Sequence, residues 1–154
     1  MTVKEGDRSD KAYWEERTKS HRDDLRTALF ADARYEQNDE MTRRVLEPFK
    51  DCTVVDVCCG YGRFAPCFHP DNYFGFDFCE EMIRLAHEKF EEYHFELQDA
   101  RTFDIPKADI VFSAISLRVL NMSAKEFYEK YKNKANVAVI CTSADDITIF
   151  PIYQ

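Results

Sequence analysis

The sequence predicts an α/β domain built on a mainly parallel sheet of five to six strands, with helices on both faces of the sheet. Short apolar segments recur along the chain, and most are followed by a segment with helical spacing. A polar residue stands where each of the first four apolar segments ends. Because the carboxyl ends of parallel strands meet at one edge, this recurrence predicts a three-layer αβα sandwich with a ligand site at that edge.

The length and charge of the chain narrow its class. Its 154 residues are enough for a single domain with a buried core. The formal net charge of −8 opposes general nucleic-acid binding, which depends on neutralising phosphates. No run approaches the ~20 apolar residues of a membrane span, and the N-terminus is too polar for a secretory signal. We therefore expect a cytoplasmic protein that binds neither membranes nor nucleic acids.

Helical spacing dominates the first third of the chain. Apolar residues at three- and four-residue steps predict a helix from residue 11 to about residue 33. A break is expected at residues 37–39, where Asn38 or Asp39 can cap a second helix. That helix is expected to end near Pro48, because proline cannot continue it.

Alternating strands and helices are expected from residue 51 onward. The expected strands are residues 53–57, 73–76, 94–97, 109–113, 137–141 and 147–150. The expected helices are residues 63–68, 79–90, 115–120 and one that begins at a capping box of Ser123 and Glu126. The predicted organisation is a flexible tail at residues 1–10 and a single domain at 11–154, with a helical cap at 11–50 and an α/β core at 51–154.

Six cysteines raise the question of a metal site or of disulfides. They are Cys52, Cys58, Cys59, Cys67, Cys79 and Cys141. Their spacing gives no CxxC pair, and the four histidines do not complete a zinc pattern. A disulfide between adjacent cysteines is strained and rare. Since most of the six lie in or beside apolar strands, we expect reduced, mostly buried thiols and no bound metal.

The turn after the first expected strand is the first candidate for ligand binding. It contains Gly60 and Gly62, two of the four glycines in the protein, and Asp56 stands just before it. A strand followed by a glycine turn can bring backbone N–H groups up to a small ligand. This signal is weak by itself, because many nucleotide-binding proteins share it.

Three polar residues extend the candidate site along the same edge. A carboxylate at Asp77, which ends the second strand, can accept hydrogen bonds from both hydroxyls of a ribose, or it can cap the next helix. Asp99 ends the third strand, where the acid or a neighbouring backbone N–H can recognise adenine; a solvated loop acid is the alternative. Ser113 ends the fourth strand.

Four segments together resemble the motifs of class I S-adenosylmethionine-dependent methyltransferases of the small-molecule branch. Residues 54–62 (VVDVCCGYG) resemble the first motif, residues 75–86 (GFDFCEEMIRLA) the second, residues 97–100 (LQDA) the adenine-contacting motif, and residues 108–117 (ADIVFSAISL) the fourth strand. The resemblance covers nearly the whole chain from Tyr13 to Cys141. Each motif is weak to moderate by itself, whereas four in the correct order are fairly specific.

The resemblance implies a Rossmann-like fold, S-adenosylmethionine as the cofactor, and a small molecule as the methyl acceptor. Asp56 would contact the methionine amino end, Ser113 would line the sulfonium end, and Tyr13 belongs to helices that resemble a cap over the cofactor. The implied cofactor-binding residues are Tyr13, Asp56, Cys58, Gly60, Gly62, Asp77, Phe78, Met82, Asp99, Ala100 and Ser113. The sequence identifies no catalytic residue, because methyl donation by a sulfonium mainly requires positioning of the two partners.

Three departures from the family pattern bear on catalysis. Cys58 stands where the first motif has a glycine, and a positive φ there would cost about 1–3 kcal/mol. Arg118 follows the fourth strand where many members have a histidine, so it either contacts an acidic substrate or lies on the surface. The sheet is expected to be truncated relative to the seven-stranded methyltransferase fold, and its exposed edge predicts a homodimer paired through the fifth strand or residues 147–150.

Other functions stay open at this point. A cofactor-binding module or partner-dependent subunit without catalysis would fit both Cys58 and the short C-terminal part. A nicotinamide oxidoreductase would fit the glycine pattern at residues 60–65, but Asp56 and residues 75–86 oppose it. Amino-group methylation of nucleic acids is disfavoured, because residues 113–116 lack an Asn/Asp-Pro-Pro-aromatic motif.

Overall fold

A computed structural model describes residues 10–20, 33–114, 117–143 and 146–151. The tail expected at residues 1–10 lies outside these ranges except for Asp10, and so does the part of the first predicted helix at residues 21–32. Within the described residues, two α-helices precede the sheet, α1 (Lys11–Ser20) and α2 (Ala33–Leu46). None of the helices in the described residues has the length and apolar character that a bilayer crossing requires.

The break expected at residues 37–39 is wrong, because α2 runs through it without interruption. Asp39 does not cap a helix there. Its Oδ1 accepts a 2.9 Å hydrogen bond from Arg63 Nη1, so the acid holds α2 against the turn that follows the first strand.

The sheet has six strands in the order β3-β2-β1-β4-β5-β6. They are β1 (Val54–Val57), β2 (Tyr73–Asp77), β3 (His94–Leu97), β4 (Ala108–Ala114), β5 (Ala135–Ser143) and β6 (Asp146–Pro151). The first five strands are parallel, and β6 runs antiparallel to β5. The predicted mainly parallel sheet is confirmed, and the sixth strand extends it beyond β5.

Three further α-helices of the described part of the chain lie between strands: α3 (Glu80–Lys89), α4 (Leu117–Leu120) and α5 (Ala124–Tyr131). The predicted capping box of Ser123 and Glu126 is confirmed at the start of α5. The helix expected at residues 63–68 is wrong, since only a 3-10 turn (Ala65–Cys67) forms there. Pro66 within that turn has no N–H to donate, so it does not support a longer helix.

Two buried layers hold the helices on opposite faces of the sheet. One layer joins Leu46 of α2 and Ile83 of α3 to Val54, Phe112 and other residues of the strands. The other joins α5 to the second face of the sheet through Phe127 and Tyr131, with Val55, Val57 and Phe76. The αβα sandwich is therefore present. Because side chains alternate along a strand, Asp56 points into the layer of α2 and α3.

Candidate functional site

The carboxyl ends of the central strands lie side by side, at the same level, at one edge of the sheet. Val57, which ends β1, stands beside Phe76 of β2 and Ser113 of β4. Asp77, which ends β2, stands beside Leu97 at the end of β3. The structure therefore brings the segments that follow these strands together, as predicted. Ser113 itself is fully buried at this edge.

Three residues of the turn after β1 have a positive φ. Gly60 and Gly62 have φ angles of 57° and 82°, and Cys58 has a φ of 56°. A side chain in this left-handed region strains the backbone by about 1–3 kcal/mol. Cys58 thus has the left-handed conformation that the glycine of the motif adopts without strain. The positive φ on which the expected strain at Cys58 depends is therefore present.

Gly60 and Gly62 lack a side chain for different reasons. A Cβ atom on Gly62 would lie 2.7 Å from the Phe95 ring and 3.3 Å from Phe90, so aromatic side chains fill the space beside it. For a Cβ atom on Gly60, the nearest heavy atom is Met82 Sδ at 3.9 Å. Gly60 therefore leaves more room for a ligand, whereas Gly62 is required by packing. A cofactor contact of Gly62 stays a prediction.

Asp77 joins two turns through its carboxylate. Its Oδ2 accepts a 3.0 Å hydrogen bond from the Gly60 N–H, and its Oδ1 accepts a 2.9 Å hydrogen bond from the Cys79 N–H. It therefore stabilises the start of α3, and each oxygen can still accept a further donor. Burial raises the pKa of Asp77 to about 6, although the backbone donors oppose that rise.

Asp56 is a buried acid bound to a tyrosine. It is 2% exposed, and its Oδ2 accepts a 2.6 Å hydrogen bond from the Tyr73 hydroxyl. Tyr73 leans over Gly75, where a Cβ atom would lie 2.7 Å from the hydroxyl oxygen. Burial raises the pKa of Asp56 to about 7, against the lowering effects of Tyr73 and Arg63. The expected contact of Asp56 with the methionine end of the cofactor stays a prediction.

An ion pair that was not predicted from the sequence connects α2 to the glycine turn. The Arg63 and Asp39 side chains, bonded as described above, are 11% and 2% exposed. The Arg63 guanidinium also lies 4.7 Å from the centroid of the Phe64 ring. The pair spans 24 positions, so neither helical nor strand spacing could have predicted it.

Asp99, after β3, is held by Arg101. Arg101 donates through Nε and Nη2 to the two carboxylate oxygens at 3.0 and 2.9 Å, and through its backbone N–H to Oδ1 at 2.9 Å. These bonds hold the pKa of Asp99 below its usual range. Lys130 of α5 donates a 2.7 Å hydrogen bond to the Ala100 carbonyl oxygen. The segment predicted to contact adenine is thus fixed from two sides, and the adenine contact itself stays a prediction.

A narrow cleft separates this segment from the turns after β1 and β2. Its volume of about 10 Å³ is close to that needed for one water molecule. The cleft is lined by Cys58, Phe78, Asp99, Ala100, Arg101, Val119 and Leu120. Four of these residues were predicted to bind the cofactor, whereas Arg101 and the two residues of α4 were not. The side chain of Arg118, also in α4, lies outside the described part of the structure.

Helix α1 packs against the start of α3, beside the glycine turn. The contact is a small apolar cluster of Cys79, Met82 and Leu85, with Trp14, Tyr61 and Phe78 packed against it. Tyr13 is half-buried beside Trp14, with the two ring centroids 5.1 Å apart. The helical cap therefore borders Met82 and Phe78, two of the residues predicted to bind the cofactor, and a cofactor contact of Tyr13 stays a prediction.

The two cysteines of the turn, Cys58 and Cys59, stay in the protonated thiol form. Burial and the negative charges of Asp56 and Asp77 raise the pKa of both Cys58 and Cys59 well above the usual value. Since the thiolate is the nucleophilic form, these residues are poor candidates for covalent catalysis. Across the residues that the structure describes, His, Cys, Asp and Glu side chains form no group of three or more that could hold a metal ion.

A match to a protein family indicates what kind of site lies at this edge of the sheet. A family model described as a methyltransferase domain matches residues 54–136, which is more than half of the chain. The chain belongs to this methyltransferase family. The matched region of the methyltransferase begins at β1 and includes the glycine turn, Asp77, Asp99 and Ser113. The predicted family is therefore confirmed.

Solved structures with the same fold include other methyltransferases. Magnesium protoporphyrin IX methyltransferase from Synechocystis PCC 6803, solved with SAM, matches with a TM-score of 0.68 and 16% identity over 90% of this chain and 77% of that one. The plantazolicin methyltransferase BpumL, in complex with a pentazolic desmethylPZN analogue and SAH, matches with a TM-score of 0.58 and 17% identity over 87% of this chain and 56% of that one.

The sugar N-methyltransferase KedS8 from a Streptoalloteichus species matches with a TM-score of 0.53 and 20% identity over 68% of this chain and 47% of that one. The methyltransferase described here therefore spans about half the length of the last two proteins. At these identities the likeness establishes the fold, which confirms the predicted Rossmann-like sandwich. A sequence search among curated proteins gave no significant match.

Proposed function

We propose that the protein is an S-adenosylmethionine-dependent methyltransferase that acts on a small-molecule acceptor. The observation that carries the proposal is the position of the Asp77 carboxylate. It ends β2 and is fixed by backbone N–H groups of the glycine turn and of the start of α3. An acid held at this point can accept the two hydroxyls of a ribose, because each oxygen keeps acceptor capacity.

The residues around Asp77 fit the rest of the cofactor. The open side of Gly60 gives room for a ligand beside Met82, and apolar Phe78 lies next to it. On this proposal Phe78 and Met82 contact the adenine, whose edge faces Asp99 and the Ala100 N–H. Asp56 acts at the amino end of the methionine part through water, because its own carboxylate is buried. Ser113 lines the sulfonium end, and Tyr13 covers the site from α1.

When bound, S-adenosylmethionine supplies a methyl group on a sulfonium, which is a strong methyl donor. The task of the protein is therefore to hold the acceptor in line with that methyl group and to keep water away. The buried strand ends at Val57 and Ser113 and the apolar cluster of Trp14 and Met82 provide such a dry environment. A general base is required only for an acceptor that must lose a proton.

The proposed acceptor class rests on charge and on relatives of the same fold. The net charge of −8 is unfavourable for binding a phosphate backbone. Solved proteins of this fold are named for a porphyrin, a sugar and the natural product plantazolicin. We therefore infer a small organic acceptor and no nucleic-acid partner. A cytoplasmic location without a membrane partner is proposed on the polar character of the sequence alone.

A second candidate function is a cofactor-binding module that depends on a partner for catalysis. Cys58 favours it, because its side chain lines the cleft at the place where the motif has a glycine. The exposed strand β6 at the sheet edge, where Ile149 is 45% exposed, favours pairing with a second copy of the chain. Sedimentation at high protein concentration tests this pairing, and a monomer under those conditions would exclude it.

Calorimetric titration with S-adenosylhomocysteine tests the proposed cofactor, with NAD as the comparison ligand. We expect binding of S-adenosylhomocysteine and none of NAD. The opposite result would favour the nicotinamide oxidoreductase. Methyl transfer across a panel of amine, hydroxyl and carboxyl acceptors then separates the enzyme from the module, since binding without transfer to any acceptor would support the module.

A further inference from the structure

Arg101 carries a planar guanidinium in a fixed orientation at the mouth of the cleft. Its paired bonds from Nε and Nη2 to the two oxygens of Asp99 set the plane of the group as well as its position. Asp99 is anchored by the backbone N–H of Arg101, and the neighbouring Ala100 carbonyl is anchored by Lys130. The guanidinium therefore has a defined orientation although its side chain is 53% exposed.

The Phe78 ring faces this guanidinium. Arg101 Cζ lies 5.8 Å from the centroid of the ring, and both side chains line the same cleft. A flat group stacked between two others needs about 7 Å, which is twice a contact distance of ~3.5 Å. The two groups lie within cation–π range, so their present separation is about 1 Å too small for a stacked purine. Adenine would enter this stack after an outward movement of about 1 Å in which the exposed Arg101 side chain keeps its pairing with Asp99.

We propose that Arg101 is a cofactor-binding residue whose guanidinium stacks on the face of adenine opposite Phe78. This inference rests on the proposed function, because S-adenosylmethionine supplies the adenine. Guanidinium groups stack well on bases, since they are flat, delocalised and weakly hydrated. Asp99 is then a positioning residue that holds Arg101 in plane, rather than primarily an acceptor for the adenine amino group.

Calorimetric titration of S-adenosylhomocysteine into variants of the full chain tests the stack. Arg101→Met and Arg101→Lys should each weaken binding by about tenfold, because lysine keeps the charge but not the plane. The matched control is Arg84→Met, which removes an arginine with 50% side-chain exposure that is paired with Glu81 on α3. It should bind like the wild type. Thermal unfolding of each variant checks that the fold is retained.

Unchanged binding by both Arg101 variants would overturn the proposal. Tighter binding by the Arg101 variants would also overturn it, since the Arg101–Asp99 pair would then block the entry of adenine. A wild-type protein that does not bind S-adenosylhomocysteine would overturn the proposed function together with this inference, whereas wild-type binding with unaffected variants overturns the inference alone.

A double-mutant cycle tests the role given to Asp99. Asp99→Asn should weaken binding in the wild type but should have little further effect in the Arg101→Met background, because its action runs through Arg101. Losses that simply add would mean that Asp99 contacts the adenine independently, and would overturn the positioning role.

Discussion

The Gly60 N–H donates a 3.0 Å hydrogen bond to Oδ2 of Asp77, so one carboxylate holds the turn after β1 against the end of β2. Its other oxygen holds the Cys79 N–H at the start of α3. A ligand bound by Asp77 would thus meet an acid whose position is set by two backbone segments. Preorganisation of this kind lowers the free energy spent on ordering the site when the ligand binds.

Replacement of Asp77 should affect cofactor binding more than replacement of Asp99. Asp77→Ala would deprive two ribose hydroxyls of a charged acceptor, which predicts a loss on the order of hundredfold in affinity. Asp99→Ala should lower the affinity by about tenfold, because both carboxylate oxygens of Asp99 already accept hydrogen bonds from Arg101. Titration with S-adenosylhomocysteine measures both losses.

The matched control is Asp71→Ala, since Asp71 is an 89% exposed acid just before the opposite end of β2. It should bind like the wild type. No loss for Asp77→Ala would refute the placement of the ribose.

Cofactor affinity should fall on acidification below about pH 6. The pKa of Asp77 is raised to about 6 by burial, so the protein without ligand loses this charge as the pH falls through that value. If the ribose needs the carboxylate form, the dissociation constant should rise by up to about tenfold for each pH unit below pH 6. Titrations between about pH 5 and pH 8 measure the profile.

An Asp77→Asn variant serves as the control for this profile, because it cannot titrate at this position. Its affinity should be weaker at pH 8 and should fall less steeply below pH 6 than that of the wild type, because Asp56 still titrates near pH 7 whereas residue 77 does not. A wild-type profile no steeper below pH 6 than that of the variant would contradict the assignment of the charge to Asp77.

The succession of strands along the chain and the edge that carries the site could be predicted from the sequence, because both follow from local patterns. Buried strands such as β1 are largely apolar, and polar residues lie at or near their carboxyl ends. The capping box of Ser123 and Glu126 is likewise a local signal, and it formed as predicted. Local patterns also placed Asp77 at the end of β2, just before the next helix, whereas its hydrogen bond to the Gly60 N–H was not predicted.

The features that the sequence did not predict depend on contacts between residues that are far apart in the chain. Asp39 looks like a helix cap, yet its partner Arg63 lies 24 positions later, so the break in α2 was wrongly predicted. Asp56 looks like an acid at an open edge, yet Tyr73 reaches it across Gly75 and encloses it in the core. In each case a tertiary contact with a distant residue overrode the local preference.

Asp56 should make the protein less stable as the pH rises. Its pKa in the folded state is about 7, above the usual ~3.9 of an unfolded aspartate, and the folded protein therefore binds more protons between these values. Tyr73 and Arg63 lower this pKa without cancelling the effect of burial, and the negative charge of Asp77 raises it further. Stability should fall between about pH 4 and pH 7, with a slope approaching ~1.4 kcal/mol per pH unit from this group.

The Asp56→Asn variant removes this titration and keeps an acceptor for the Tyr73 hydroxyl. Urea denaturation of both proteins at several pH values measures the difference in their free energies of unfolding. That difference should shift in favour of the variant as the pH rises to about 7 and then stay level. A constant difference over this range would mean that Asp56 is already ionised at low pH.

Cys58→Gly should stabilise the protein by about 1 kcal/mol, because relief of the left-handed strain exceeds the entropy that glycine adds to the unfolded chain. It should also tighten binding of S-adenosylhomocysteine, since the Cys58 side chain lines the cleft. Asn121→Gly is the control, because Asn121 is the other described non-glycine residue with a positive φ, at 52°. It should leave binding unchanged; equal affinity of Cys58→Gly and the wild type would show that Cys58 does not restrict the site.

Alanine substitutions should separate the roles of the two turn glycines. Gly62→Ala places a Cβ atom 2.7 Å from the Phe95 ring at a φ of 82°, so it should lower the free energy of unfolding by about 2–4 kcal/mol. Gly60→Ala meets no atom closer than 3.9 Å and should lower it by about 1–2 kcal/mol, from backbone strain alone.

Binding should show the reverse order for these two variants. Gly60→Ala fills the open side of the turn and should weaken binding of S-adenosylhomocysteine by about tenfold, whereas Gly62→Ala, if folded at low temperature, should retain most of its affinity. Denaturation and titration of the same two proteins measure both effects. A larger loss of affinity for Gly62→Ala than for Gly60→Ala would mean that the cofactor approaches the turn from the side of Phe95, and that the open face of Gly60 has been wrongly assigned.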